Sequence, residues 1–337
     1  RAPYNSLTGA SRWNEPCVPV YTTGTSIDTG GQPRESLRTV YGRIDQDIDR
    51  AIELLEKARE TTLAENNKSH INLYVALGIK SRACLAEGDW DGAFKAAKRV
   101  IDEGGYAVGT KSDLTGGMNS LDKQNVMWGA GIQVADQAGG YAGFFTHMDN
   151  KEGAYAKSAP KLISKQLYNR ISATDIRRDW WDPSDKESPY VSKKFSFANM
   201  ASFLGDYIYM RVEEMYFTAA EAALRLDDLK SARELMNTVM AERDPGYSAN
   251  NRSGTLLGAT TTTWTGSFLE NILTHRRIEL WGEYGRLFDV RRLGQGIDRR
   301  TDDGFSEECI SMMNRRNVNI TKADTYDLYL IHISEPT

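Results

Sequence analysis

Residues 71–108 read INLYVALGIKSRACLAEGDWDGAFKAAKRVIDEGGYAV, and the fold turns on how this stretch is parsed. Two runs carry apolar residues at helical spacing on either side of Gly88-Asp89, and Gly104-Gly105 ends the second by permitting a left-handed cap. The stretch therefore reads as an αα-hairpin. Residues 213–247, EEMYFTAAEAALRLDDLKSARELMNTVMAERDPGY, read the same way. Laid over each other at a constant offset of 139, Ala83 falls on Ala222, Leu85 on Leu224, Asp89 on Asp228, Ala93 on Ala232, Val100 on Val239 and Glu103 on Glu242. Small residues stand where two helices must approach closely, an acidic residue stands in the turn, and aliphatics recur on the inner face. That is the logic of a repeat in which each helix pair buries its apolar face against a neighbour. The expected fold is mainly α: a tetratricopeptide-like helical-hairpin scaffold, an α/α superhelix, with long irregular loop insertions and little β.

Working outward, residues 1–33 are rich in Gly, Thr, Pro and Ser and read as a loop. Val40, Ile44, Ile48, Ala51, Ile52 and Leu55 then predict one amphipathic helix over 36–59. The two hairpins are not adjacent. Between them NVMWGAGIQVA (125–135) alternates like a short strand, while residues 136–160 and 177–197 are polar, glycine-bearing and aromatic. Irregular stretches this long inside a compact protein are usually functional. The chain is expected to form a single domain over 1–337, with a helical scaffold at 34–109 and 207–300 and an irregular ligand-binding insert at 110–206. A further irregular piece, residues 250–268, precedes the last helical region.

The totals narrow the function. A formal net charge of -4 over 337 residues gives no pull toward polyanions, so nucleic-acid binding is not expected. Cys17, Cys84 and Cys309 lie far apart, which suits neither a disulfide framework nor a zinc site. No run approaches the roughly 18 apolar residues of a membrane span. The first residues lack the parts of a signal peptide, so the chain is either cytosolic or begins after a targeting segment.

Five stretches in order along the chain carry a family resemblance: PRESLRTVYGRIDQDIDRAIELL, a hairpin ending GDWDGAFKAAKRVIDEGGY, NVMWGAGIQ, RVEEMYFTAAEAAL and RRIELWGEYGRLFDVRRLG. The chain resembles the SusD/RagB family, the nutrient-binding outer-membrane lipoproteins of Bacteroidota, nearly continuously from about Cys17 to Glu335. The most specific matches are Arg211 with Glu214 ahead of an alanine-rich helix, then Arg276, Arg277, Glu279, Leu280, Glu283, Arg286 and Asp289. The resemblance covers the C-terminal two thirds or so of a family member. It implies that a lipoprotein signal, an acylated cysteine and an N-terminal helical region are missing ahead of Arg1. At the other end His332 stands where the family's closing pattern has proline. The chain is thus expected to be truncated at both ends.

Functionally, the resemblance implies a lipid-anchored protein exposed on the outer-membrane surface. It would bind a glycan and deliver oligosaccharide to a TonB-dependent SusC-like transporter, on which it sits as a lid. Membrane contact would come only through an N-terminal lipid anchor absent from this chain. The alternatives are a peptide-binding, RagB-like uptake protein and a helical-repeat adaptor that binds proteins only.

The arginine-rich stretch THRRIELWGEYGRLFDVRRLGQG (274–296) has a plain physical reading. Placed on a helix, His275 faces Glu279, Arg276 precedes Glu279 by three, Glu283 precedes Arg286 by three, and Asp289 precedes Arg292 by three. Trp281, Tyr284 and Phe288 form an apolar stripe beside them. Partly buried Arg-carboxylate forks would tie this segment to the preceding hairpin through Glu213, Glu214 or Glu221. Balanced charges at helical spacing predict a structural ion-pair lock of Arg211, Glu214, Arg277, Glu279, Glu283, Arg286 and Asp289.

Catalysis is not expected. His70, His147, His275 and His332 are isolated, and no metalloprotease, nucleophile-elbow or Walker motif occurs. Ser158 to Lys161 spells Ser-x-x-Lys without its companion motifs and is interrupted by Pro160. Asp179, Asp182 and Asp185 read as turn formers, although a glycosidase acid pair has the same composition. No cofactor or metal is inferred. Flat aromatic rings stack on sugar C–H faces while nearby polar groups bond the hydroxyls. The expected ligand-binding rings are Trp180 and Trp181 first, then Tyr190, Trp128, Tyr141 and Trp264.

Overall fold

A computed structural model describes residues 2–6, 8–59, 67–135, 142–252 and 266–295. The scaffold opens with α1 (Leu37–Arg59), α2 (Leu73–Glu87) and α3 (Trp90–Glu103). The insert follows with α4 (Lys111–Thr115), β1 (Val126–Ala130), α5 (Phe144–Met148), α6 (Ala154–Ser158) and α7 (Lys165–Tyr168). It continues through a 3-10 turn (Ile176–Trp180), β2 (Trp181–Asp182), β3 (Val191–Ser192) and β4 (Tyr207–Arg211). The scaffold resumes with α8 (Val212–Arg225), α9 (Leu229–Ala241), α10 (Phe268–Glu279) and α11 (Arg286–Leu293). The fold is mainly α, as the periodicity predicts.

Each boundary has a local cause. The Ser36 hydroxyl accepts the Thr39 amide at 3.1 Å and starts α1. Asp89 and Asp228, paired by the 139 offset, both cap the second helix of their hairpins, accepting from Gly92 N and Ser231 N at 3.0 Å. One residue earlier, Gly88 has φ 79° and Asp227 has φ 61°, so both hairpins turn through the left-handed region. Gly105, at φ 71°, plays that part after α3.

The hairpins stack in order, α2 on α3, α3 on α8 and α8 on α9, with α1 against α2 and α10 against α8. Ala93, Ala97, Ala219, Ala220, Ala222, Ala223 and Ala232 are all fully buried, because small side chains let these helices approach. The main core runs through these helices, from Ile52 and Leu73 to Val239, Ile272 and Leu293, and Ala93 and Ala222 join Cys84 and Leu85 in a smaller cluster.

The insert leaves and returns along a two-stranded antiparallel ribbon, with Val126 opposite Arg211 and Ala130 opposite Tyr207. Beyond it lies a second core of Leu114, Met118, Phe145, Ile163, Leu167, Ile171, Trp180, Trp181 and Phe195. One scaffold residue, Ile278 of α10, belongs to that core and joins it to the helices.

Candidate functional site

The stretch 274–296 is not one helix, and this corrects the helical pairing expected from its spacing. α10 ends at Glu279 and α11 begins at Arg286, because Gly282 (φ 73°) and Gly285 (φ 119°) turn the chain through conformations that L side chains rarely adopt. The break redirects the charges. Glu283 does not meet Arg286; Arg211 grips it through Nε and Nη2 at 2.8 Å each, and Lys194 Nζ lies 2.5 Å from it. Arg276 turns from Glu279 toward Asp289 (3.0 Å) and Glu214 (3.4 Å). The Asp289–Arg292 pair, which lies wholly within α11, forms at 2.8 Å.

Glu279 becomes the hub of a buried network. Its carboxylate accepts from Arg177 (3.1 Å), Arg211 (3.0 Å) and Arg243 (3.0 Å to each oxygen), with all four side chains fully buried. Asp175 and Glu213 complete the neutralisation, accepting from Arg177 at 2.6 Å and from Arg243 at 2.8 Å. Burial would raise the Glu279 pKa, but Arg243, Arg211 and Arg177 outweigh it and hold the carboxyl well below its ordinary range. Burial, and then Arg177, hold His275 neutral, its Nδ1 facing Arg177 Nη2 at 2.9 Å.

A second string of forks runs Arg82, Glu214, Arg276, Asp289, Arg292, Glu221 and Arg225 across α2, α8, α10 and α11. Arg277 is half-buried on α10, and Arg286 is half-buried at the start of α11, its Nη1 3.4 Å from Gln295 Oε1. Arg177, Arg243 and Lys194 are members that the spacing argument missed. They lie far from 274–296 in sequence, and only charge balance at an unknown contact could have pointed to them.

Arg177 and Lys194 come from the insert, so the same network orients the insert on the scaffold. Lys194 donates to the carbonyls of Glu279 (2.7 Å) and Trp281 (2.8 Å) and sits 4.4 Å over the Trp180 ring. Burial brings its pKa down to about 8 despite Glu283. Trp180 in turn donates Nε1–H to Leu114 O at 2.9 Å and packs edge-to-face on Trp181, which packs likewise on Trp281.

Trp180 and Trp181 are therefore interior residues, 2% and 1% exposed. Neither offers a ring face for stacking, because both indoles fill the core that the Lys194 contact closes. Tyr190 is half-buried and set edge-on to Tyr168 at 5.2 Å. Trp128 lies apart from these, on the β1–β4 ribbon against Tyr209 (5.1 Å) and the main core. Tyr141 and Trp264 lie outside the described residues, as do Cys309 and His332.

In front of Trp181 opens a cleft of about 410 Å³. Asp175 caps the 3-10 turn by accepting the Arg177 amide at 2.9 Å, and the buried Arg177 side chain anchors that turn, leaving Arg178 and Asp179 to line the cleft. The β2–β3 pairing sets Lys193 beside Asp182 at 3.8 Å. The Thr110–Asp113 capping box places Lys111, the first residue of α4, in the lining as well. Thr174 and Tyr168 complete the polar and aromatic lining. A second cleft of about 630 Å³, lined by Thr110, Asp113, Asn119, Asp122, Lys123 and Gln124, opens beside it; the consecutive residues Thr110 and Lys111 line one each. The charged run IRRDWWDP was the available signal for the first cleft, but the tryptophans drew the expectation instead of Arg178 and Asp179 beside them.

A model described as the SusD family matches residues 145–332. Among solved structures, the chain is similar to a SusD-like carbohydrate binding protein from Bacteroides vulgatus, with a TM-score of 0.71 and 28% identity over 85% of this chain and 58% of that one. It is also similar to a SusD superfamily protein from Bacteroides thetaiotaomicron, with a TM-score of 0.70 and 22% identity over 96% of this chain and 68% of that one, which bears on the fold alone. The chain thus spans 58% of the length of the first of these. Comparison with curated proteins finds no match.

Proposed function

This chain belongs to the SusD family, and from that premise we propose that it is a surface nutrient-binding protein that captures oligosaccharide and passes it to a SusC-like, TonB-dependent transporter. The observation that carries the reading is the cleft in front of Trp181, which presents ammonium, guanidinium, carboxylate and hydroxyl groups beside packed aromatic rings. Sugar hydroxyls need such donors and acceptors, and the volume falls within the range of about 300–1,000 Å³ that small-molecule sites occupy. The similar Bacteroides vulgatus structure, described as a SusD-like carbohydrate binding protein, supports it.

In this reading Trp180 and Trp181 hold the floor from behind. Tyr190, set edge-on to the lining residue Tyr168, retains some exposure, and Trp128 with Tyr209 forms a separate aromatic pair on the ribbon. Asp179 and Asp182 bond ligand hydroxyls and do no acid-base work. Lipid anchoring, exposure on the outer-membrane surface and the lid-like seat on the transporter belong to the same proposal.

Native affinity electrophoresis through gels containing a panel of soluble polysaccharides tests the capture step. Retardation by at least one glycan is expected. Free migration through all of them, with retention instead on a peptide column, would replace the glycan by a peptide. Co-purification of a TonB-dependent transporter from solubilised outer membranes tests the partner.

A further inference from the structure

We propose that the cleft in front of Trp181 selects a carboxylate-bearing oligosaccharide, a uronate-containing glycan, with Arg178 and Lys111 receiving the carboxylate. The inference rests on the carbohydrate-capture reading and narrows its ligand.

The argument is a balance of free charge. Three cations, Lys111, Arg178 and Lys193, and three carboxylates, Asp175, Asp179 and Asp182, line the cleft. Asp175 is occupied by the buried Arg177 guanidinium at 2.6 Å. Asp182 accepts the Ser184 amide (3.0 Å) and hydroxyl (2.6 Å) and lies 3.8 Å from Lys193. That leaves Lys111 and Arg178 against Asp179 alone. Lys111 is exposed, and its ammonium has no partner among the described residues.

Arg178 is already shaped for the task. Its guanidinium carbon sits 4.3 Å from the centre of the Tyr168 ring, and Nη1 donates to Ile171 O at 2.6 Å. The ring contact holds the guanidinium against Tyr168 and the carbonyl fixes one edge. The other edge has no acceptor among the described residues. A planar, oriented fork matches a planar carboxylate through two parallel hydrogen bonds, at little cost in side-chain freedom. The neighbouring cleft has the opposite balance, with Asp113 and Asp122 against Lys123, so of these two clefts the one in front of Trp181 is the cationic one. With a net charge of -4, the chain as a whole repels a polyanion, and any attraction must be local.

The test runs the full chain through gels containing polygalacturonate, alginate or hyaluronan, and through fully methyl-esterified polygalacturonate, dextran, xylan and dextran sulfate. Retardation by a uronate glycan is expected, weakened about tenfold or more in Arg178→Ala and in Lys111→Glu, the loss that one charge-assisted fork accounts for. Arg178 also packs on Tyr168, so Lys111→Glu, at an exposed position, keeps the test decisive should Arg178→Ala unfold. Equal retardation by the free and esterified polymers, retardation by dextran sulfate alone, or unchanged affinity in both variants overturns the proposal. Retardation by neutral glycans only overturns it while leaving carbohydrate capture standing. No retardation by any polymer removes the carbohydrate reading itself.

Discussion

Glu279, at the end of α10, is held by three guanidiniums, and removing it strands Arg177, Arg211 and Arg243 with buried, under-compensated charge. Glu279→Ala is therefore expected to cost about 3–5 kcal/mol, the range for breaking a buried ion pair from one side. Arg286→Ala, at a half-buried side chain whose Nη1 lies 3.4 Å from Gln295 and whose charge helps keep Asp289 ionised, also lowers stability, but by less than Glu279→Ala. Chemical denaturation of the two variants checks the order; an Arg286 effect as large as the Glu279 effect would contradict it. The pattern Arg-Arg-x-Glu-Leu-x-x-Glu was legible as a charge cluster. Which carboxylate forms the hub was not, because the Gly282–Gly285 turn breaks the helix on which the spacing argument relied.

Between elements, α1 packs on α2, and Glu87 at the end of α2 lies against Asp45 of α1. Burial, and then Asp45, push the Glu87 pKa up to about 8 from its ordinary 4.5. A carboxyl whose folded pKa exceeds its unfolded one binds more protons when folded. Its contribution to stability is whole below the unfolded value and is lost as pH rises through the folded one. The α1–α2 contact is thus expected to weaken between pH 4.5 and about 8. Urea midpoints at about pH 6 and about pH 9 should fall further apart for the parent than for Glu87→Gln, and an equal fall in both would refute the assignment. The helices themselves were plain in the sequence: α1 begins one residue from its predicted start. The meeting of two carboxyls across them was not, since helical period specifies a face and leaves the neighbour on that face open.

For the molecule as a whole, the insert carries its own core yet shares Ile278, Arg177 and Lys194 contacts with the scaffold. These shared buried groups predict a single calorimetric transition, because opening either core exposes charges that the other neutralises. Arg177→Ala combined with Lys194→Ala should separate the insert's melting from that of the helices. Two transitions in the parent protein would show that the cores are independent. The same coupling supports the proposed site, since Arg178 and Trp181 stand next to residues fastened into the scaffold.

The features legible along the chain are local and periodic: the helical hairpins, their capping aspartates, the small-residue contacts and the family resemblance. Each depends on residues near one another in the chain or on a repeat that can be counted. Tertiary structure alone decided the rest. It buried Trp180 and Trp181, because Lys194 closes over Trp180 and Trp281 packs against Trp181. It also left Arg178 and Asp179 facing a cleft, because their neighbours Arg177 and Trp180 are drawn inward by partners distant in sequence. Whether an aromatic ring or an arginine faces solvent is set by such long-range contacts, and no spacing within the insert encodes them.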